Sequence, residues 1–245
     1  NTGDGIQNNG YSKPGVNYNN INGNIGYDYR NNTALSIYPE INAKYNWWGT
    51  ATTAEMNTGA NPKNITKIYD YQDNPTLGSV NYGGWLNAQG GTPTATTATG
   101  VIKLTNSSGV EVLNYTSTDS LYAQVTDADR NVSASVLDTV SVYLVSQTET
   151  APEKLVLTET GVNTGVFRGV MAFDEVGAVA SDGKLQAKRG DKLTGTYVDP
   201  KDDFGNVKSV SDNAFYGVSI VNGLLYVNTV WQKSKSPYLV TGDVT

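Results

Sequence analysis

Asp127, Asp129 and Asn131 place oxygen-bearing side chains at alternate positions in Asp-Ala-Asp-Arg-Asn, and Asp138 follows seven residues on. Oxygens so spaced can converge on one hard cation, and calcium takes about six to eight such ligands. The spacing predicts a calcium site at this loop, with Ca2+ as the one cofactor the sequence suggests. The EF-hand pattern is absent, since neither its central glycine nor its terminal glutamate falls in register. A second acidic turn, Asp199-Pro-Lys-Asp202-Asp203-Phe-Gly-Asn206, offers Asp199, Asp202 and Asp203 as another site or as ligands for the first. Glu159 is a further candidate donor. The plainer explanation is turn formation, for which Asp and Asn are suited without any ion.

Other chemistry is bounded by what the chain lacks. It has no histidine and no cysteine. That removes the commonest general base and all imidazole or thiolate metal ligands. Glycoside chemistry would need paired carboxylates. Asp28 and Arg30 share one face of an extended chain, but a surface ion pair explains them equally well. The chain is expected not to be an enzyme. A net charge of -6 with no run of Lys or Arg argues against nucleic acid as partner. No apolar run reaches the length of a membrane-spanning helix.

The elements that must position these residues read as strands. The 245 residues are rich in Gly, Asn, Thr and Ser, poor helix formers, while Thr, Val and the 16 Tyr favour strands. Residues 1–87 are dense in Asn, Gly and Tyr, with apolar points at Ile6, Val16, Ile21, Ile25, Leu35, Ile37 and Ile41. Asn20-Ile-Asn-Gly-Asn24 can be laid over Asn42-Ala-Lys-Tyr-Asn46, a spacing of 22 residues that points to stacked coils. Residues 88–100 are small and uncharged and read as a linker or a strand-leading segment. Residues 101–222 alternate like strands at Leu121–Val125, Thr139–Val145 and Lys154–Leu157, with turn signals at Asn163-Thr-Gly165, Ser181-Asp-Gly183 and Asp203-Phe-Gly-Asn206. Residues 223–245 read as a strand leading onward. The chain starts Asn-Thr-Gly-Asp and is expected to be a piece of something longer.

Trp47 and Trp48 are adjacent in Asn46-Trp-Trp-Gly-Thr50, and on a strand they would point to opposite faces, with Gly49 ending it. This block, followed by Ile68-Tyr-Asp-Tyr-Gln-Asp-Asn-Pro75 and closing at Trp85-Leu86, resembles the last coils of right-handed parallel β-helix proteins of microbial surfaces. The resemblance implies that Trp47 and Trp48 are a structural cap at the end of a stack. Stacking of sugar on exposed rings such as Trp47 or Trp85 is the alternative. Leu157 to Phe167, with Val-Thr-Asp-Ala-Asp-Arg-Asn before it and Tyr-Val-Asp-Pro after it, is similar to an immunoglobulin-like domain of large bacterial and archaeal surface proteins. The segment from Trp231 to Thr245 resembles the lead-in strand of a further β-helix.

The expected fold is therefore all-β: the end of a right-handed parallel β-helix over 1–87, then an immunoglobulin-like β-sandwich over 101–222. The expected role is a non-catalytic structural module of an extracellular cell-surface protein: S-layer, sheath, filament or stalk. A carbohydrate-binding adhesin module is the alternative, with a polysaccharide lyase or hydrolase fragment after it. Expected partners are other copies of the chain, flanking domains of the same chain, or glycans. In the self-assembly version, the strand at 236–245 would add to residues 1–10 of the next copy.

Overall fold

A computed structural model describes residues 2–96, 99–133, 135–223 and 229–244. Among these the chain is mostly β, with one α-helix. It divides into two compact units: residues 1–99 with 199–208, and residues 100–198 with 209–245. No helix among the described residues is long and apolar enough to cross a membrane.

The first unit is a stack of short parallel strands. β1 (Ile6–Asn8), β2 (Tyr29–Asn31), β3 (Glu40–Asn42), helix α1 (Gly49–Met56), β4 (Ile68–Tyr69) and β5 (Ser79–Asn81) follow in order. β1 pairs with β2 and β2 with β4, so Ile6, Tyr29 and Ile68 lie one above another. β3 pairs with β5, which sets Ile41 over Val80. The inward residues form one core around Ile21, Tyr29, Ile41, Trp48, Ile68 and Trp85.

Asparagines bond one level of this stack to the next, although Tyr29 Oη, Trp48 Nε1 and Thr53 Oγ1 are buried without a partner. Asn8 Nδ2 donates to Asn31 Oδ1 at 3.2 Å, and Asn31 Nδ2 donates to Gly78 O at 2.7 Å. Asn46 Oδ1 accepts from the Asn19 amide at 2.8 Å, while Asn46 Nδ2 reaches Val16 O at 2.6 Å. Three levels turn at the same left-handed corner, with φ of 59° at Tyr18, 60° at Tyr45 and 63° at Gly84. The Tyr18 and Tyr45 rings stack there, 5.1 Å apart and 15° from parallel.

The repeat has a different period from the one the sequence suggested. Asn20 bridges to Trp47, 27 residues on, not to Asn42. Ile6 to Tyr29 is 23 residues, and Tyr29 to Ile68 is 39. The excursions between levels differ in length, which hides a fixed period. Gly49 also departs from expectation. It opens α1 rather than ending a strand, at φ +78°, where a Cβ would lie 2.8 Å from Asn22 Cβ. Residues 49, 52, 53 and 56 are buried at helical spacing, but they are Gly, Thr, Thr and Met. A helical face written in threonine carries no apolar signal.

The stretch 88–100 is held rather than free. Thr94 N donates to Trp85 O, and Thr96 N to Asp203 O. The Asp203 loop belongs to the same unit, where Lys201 pairs with Glu40 at 2.6 Å and Asn206 Nδ2 donates to the Tyr45 hydroxyl at 2.9 Å.

The second unit contains β6 (Val101–Thr105), β7 (Asn114–Tyr115), β8 (Ser120–Thr126), β9 (Thr139–Ser146), β10 (Glu153–Glu159), β11 (Val166–Asp174), β12 (Lys184–Gln186), β13 (Lys192–Asp199) and β14 (Lys208–Tyr216). The strands expected at 121–125, 139–145 and 154–157 are present as β8, β9 and β10. All nine join one sheet of order β6-β8-β11-β10-β9-β13-β14-β7, with β12 on β11. The sheet curls over its own core. A Cβ at Gly195 of β13 would meet Leu104 Cδ2 of β6 at 2.8 Å, and Leu104 N donates to Asp212 Oδ2 of β14 at 2.7 Å. Alternate residues of β8, β9 and β13 point inward, and Leu121, Val125, Val142, Leu144, Phe167 and Leu193 are buried at the centre. Filling that interior with whole side chains contributes about 1.5–3 kcal/mol for each large one.

β15 (Ser219–Gly223) and β16 (Tyr238–Val244) form a separate parallel pair, with a register shift after Val221. The strand expected in 223–245 is thus β16. Thr245, counted in it from the sequence, lies outside the described residues.

Candidate metal centre

Two strands of the curled sheet end in an aspartate on the inward face. In β8 the buried positions are Leu121, Ala123 and Val125, and the same alternation carries on to Asp127, 1% exposed. In β13 they are Leu193, Gly195 and Tyr197, and the last residue of the strand is Asp199, fully buried. The period that makes the core therefore delivers two carboxylates to its end. After Asp127 the chain enters a 3₁₀ turn, Ala128–Arg130, which brings in Asp129. One carboxylate oxygen of Asp127 lies within 4.8 Å of one of Asp129.

The neighbouring groups fix this geometry. Tyr197 donates its hydroxyl to Asp127 Oδ2 at 2.6 Å. Asp127 N donates to Gly165 O at 2.8 Å, so the Asn163-Thr-Gly165 turn braces the aspartate from behind. That turn is organised by Glu159, whose Oε1 accepts from Thr164 N at 2.6 Å and Gly165 N at 2.8 Å. Burial pushes the Glu159 carboxyl up, but these amides outweigh it and hold the group below its ordinary 4.5. Asn131 Nδ2 donates to Asn163 Oδ1 at 2.8 Å, tying the acidic loop to the same turn.

Two polar atoms at this end of the sheet stand out. Asp127 Oδ1 and Asn131 Oδ1 are sealed from solvent with no hydrogen-bond donor. A buried acceptor left unmatched costs about 1–3 kcal/mol.

The residues predicted from sequence divide cleanly. Asp127 and Asp129 come together. Asn131 lies on the same loop. Asp138 does not join them. Its Oδ2 accepts from Val132 N at 2.7 Å and Ser133 N at 2.8 Å, so it shapes the loop. Asp202 accepts from the amides of Phe204 and Asn206, both at 2.9 Å, which is a turn. Asp203 accepts from Thr99 N at 3.1 Å. Sequence reasoning left open whether Asp199 serves a second site or the first; it is the last residue of β13 and is fully buried. The signal was available in Leu193-Thr-Gly-Thr-Tyr-Val-Asp199, where every second residue faces inward.

Trp48 is 1% exposed and belongs to the core of the first unit, whereas Trp47 is half-buried in the bridge to Asn20. Trp85, expected as an exposed ring, is 2% exposed and donates its indole N–H to Asn57 Oδ1 at 3.0 Å. Packing consumes it. Asp28 and Arg30 are not an ion pair. Arg30 Nε donates to Asp4 Oδ2 at 2.6 Å, with its guanidinium 4.5 Å from the Tyr27 ring and 4.7 Å from the Tyr69 ring. Asp28 is buried, accepts from Asn24, and is pushed up by burial.

Comparison with protein-family models and with curated proteins finds no match to this chain.

Proposed function

We propose that the chain is a non-catalytic architectural module of an extracellular surface protein, such as an S-layer, sheath, filament or stalk. In this reading the first unit is the terminal part of a right-handed parallel β-helix, capped by Trp47 and Trp48. The second is an immunoglobulin-like sandwich, and β15–β16 leads into neighbouring structure of the same chain or another copy. One observation carries it: strands pair level upon level, with asparagine side chains bonded from one level to the next. Such a stack meets a pull with many backbone bonds at once, and each level depends on its neighbours. The charged groups of the first unit serve as braces, as with Arg30 on Asp4 and Lys201 on Glu40.

Surface labelling of intact cells with an antibody to the purified chain tests the location, and single-molecule pulling tests the role. The expected result is surface staining and a high unfolding force for the first unit. Internal staining, or turnover of any substrate in a broad polysaccharide panel, would overturn the reading.

Glycan adhesion is a second reading, favoured by Tyr18. The residue is 69% exposed, and its ring is stacked on Tyr45. Binding on a glycan array that Tyr18→Ala abolishes would support it, and an array without signal would end it.

A further inference from the structure

We infer that the pocket flanking β7 in the curled sheet binds a single ring of a neutral carbohydrate. It lies wholly within the second unit and has a volume of about 310 Å³. That is at the small end of the roughly 300–1,000 Å³ of small-molecule sites. Asn106 and Ser107 line it from the turn after β6, and Asp119 lines it from the turn after β7. Tyr115 and Tyr122 supply ring surface, with Val112 beside them. Tyr115 is 2% exposed and donates its hydroxyl to Thr105 O at 2.7 Å, so its ring is locked. Arg168 lies 5.7 Å from the Tyr122 ring centre and donates to Asn106 O at 3.0 Å and Ser107 O at 3.2 Å, which fixes that wall.

Backbone amides orient the polar side chains. Asn106 Oδ1 accepts from Ser108 N at 2.9 Å and Val110 N at 3.1 Å, and Asn114 Oδ1 accepts from Val218 N at 2.9 Å. With both oxygens committed, each Nδ2 is a directed donor, and neither has an acceptor among the described residues. Asp119 Oδ2 accepts from Thr116 N at 2.7 Å and Thr116 Oγ1 at 2.8 Å, which leaves Oδ1 to accept from a ligand. Two fixed amide donors, a carboxylate acceptor and ring surface match the hydroxyls and the C–H face of a sugar. Holding these groups in place beforehand lowers the ordering cost of binding. Among the described residues no lysine or arginine lines the pocket, so a phosphate would find no counter-charge. Asp119 is the one charged group among them and repels an acidic sugar. With Val112 as the one aliphatic side chain of that lining, an apolar ligand has little to bury against. The site rests neither on the architectural reading nor on Tyr18, which belongs to the first unit.

Solution NMR of the full chain, titrated with the methyl glycosides of glucose, galactose and mannose up to their solubility, tests the site. At least one should shift the side-chain amides of Asn106 and Asn114 and the rings of Tyr115 and Tyr122 in a saturable way. Asn114→Asp keeps the oxygen that takes Val218 N but replaces the donor with a carboxylate, and it should weaken binding at least tenfold. Asn106→Asp keeps its two amide bonds in the same way and should have the same effect. Melting curves close to that of wild type would show that both variants fold. The uronic acid of the responding hexose should bind wild type at least tenfold more weakly, a comparison that needs no variant. Tyr18→Ala should leave binding unchanged. No saturable shift from any of the three glycosides would overturn the site. Binding undiminished in both Asp variants, or abolished by Tyr18→Ala, would overturn its placement. A uronic acid that binds as well as its parent hexose would overturn the neutral assignment.

Discussion

Asp70 in the stacked strands and Asp127 in the curled sheet are both buried acids, 5% and 1% exposed, yet their surroundings differ. Asp70 is matched on both oxygens, accepting from Val80 N at 2.6 Å and Gln72 N at 2.9 Å. Burial still pushes its carboxyl up. Asp127 has one oxygen matched and one not. The first unit uses polar side chains as internal fasteners and completes every bond it needs at Asp70. The second keeps an apolar interior and gathers carboxylates where its strands end. Half-matching recurs in the second unit, where Glu149 Oε1 is likewise buried without a donor while its Oε2 accepts from Gln186 N.

The contrast can be broken most forcefully at Trp48. Trp48→Ala removes a fully buried indole and is expected to cost about 3–5 kcal/mol. Calorimetry should show the first unit destabilised, with the transition of the curled sheet retained; equal loss of both would erase the distinction between the units. A smaller effect is expected at Asn31, whose amide links Asn8 to Gly78. Asn31→Ala strands those partners and should cost about 1–3 kcal/mol by denaturant unfolding. A neutral result would show that the asparagine ladder is dispensable.

Two glutamates of the curled sheet sharpen the comparison through pH, with opposite signs. Glu149 is fully buried, and burial, then Glu153 and Asp182 nearby, raise its carboxyl above the ordinary 4.5. A raised acid contributes stability below its unfolded value that is lost as pH rises through its folded value. Glu149→Gln should therefore raise the melting temperature at neutral pH and leave it little changed in acid. Glu159 is held low, so its contribution is present above 4.5 and is lost as pH falls through its folded value. Glu159→Gln should lower the melting temperature at neutral pH, with the gap closing in acid. Melting curves collected across pH check both; parallel profiles for either variant and wild type would contradict the assignment.

Much of the β character was legible because it rests on alternation. Leu121, Ala123 and Val125 announce β8, and the turn signals at Asn163-Thr-Gly165 and Ser181-Asp-Gly183 coincide with left-handed residues at 163, 165, 181 and 183. Helix α1 was not legible, because its buried face is Gly49, Thr52, Thr53 and Met56, and the fold rather than propensity selects it. The acidic centre was half legible. Local spacing finds Asp127 and Asp129, but it also nominates Asp138, since nothing in a linear pattern says which carboxylate folds back onto its own amides.

The unequal excursions between levels have a practical corollary. From β1 to β2 the chain spends 23 residues, and from β2 to β4 it spends 39, yet both steps add one paired strand. The extra length leaves the column at an exposed tip, Thr58-Gly-Ala60. Doubling such a flap costs only about 0.6 kcal/mol in closure entropy. Foreign peptide spliced into that tip would ride outside the column, making it a natural platform for display.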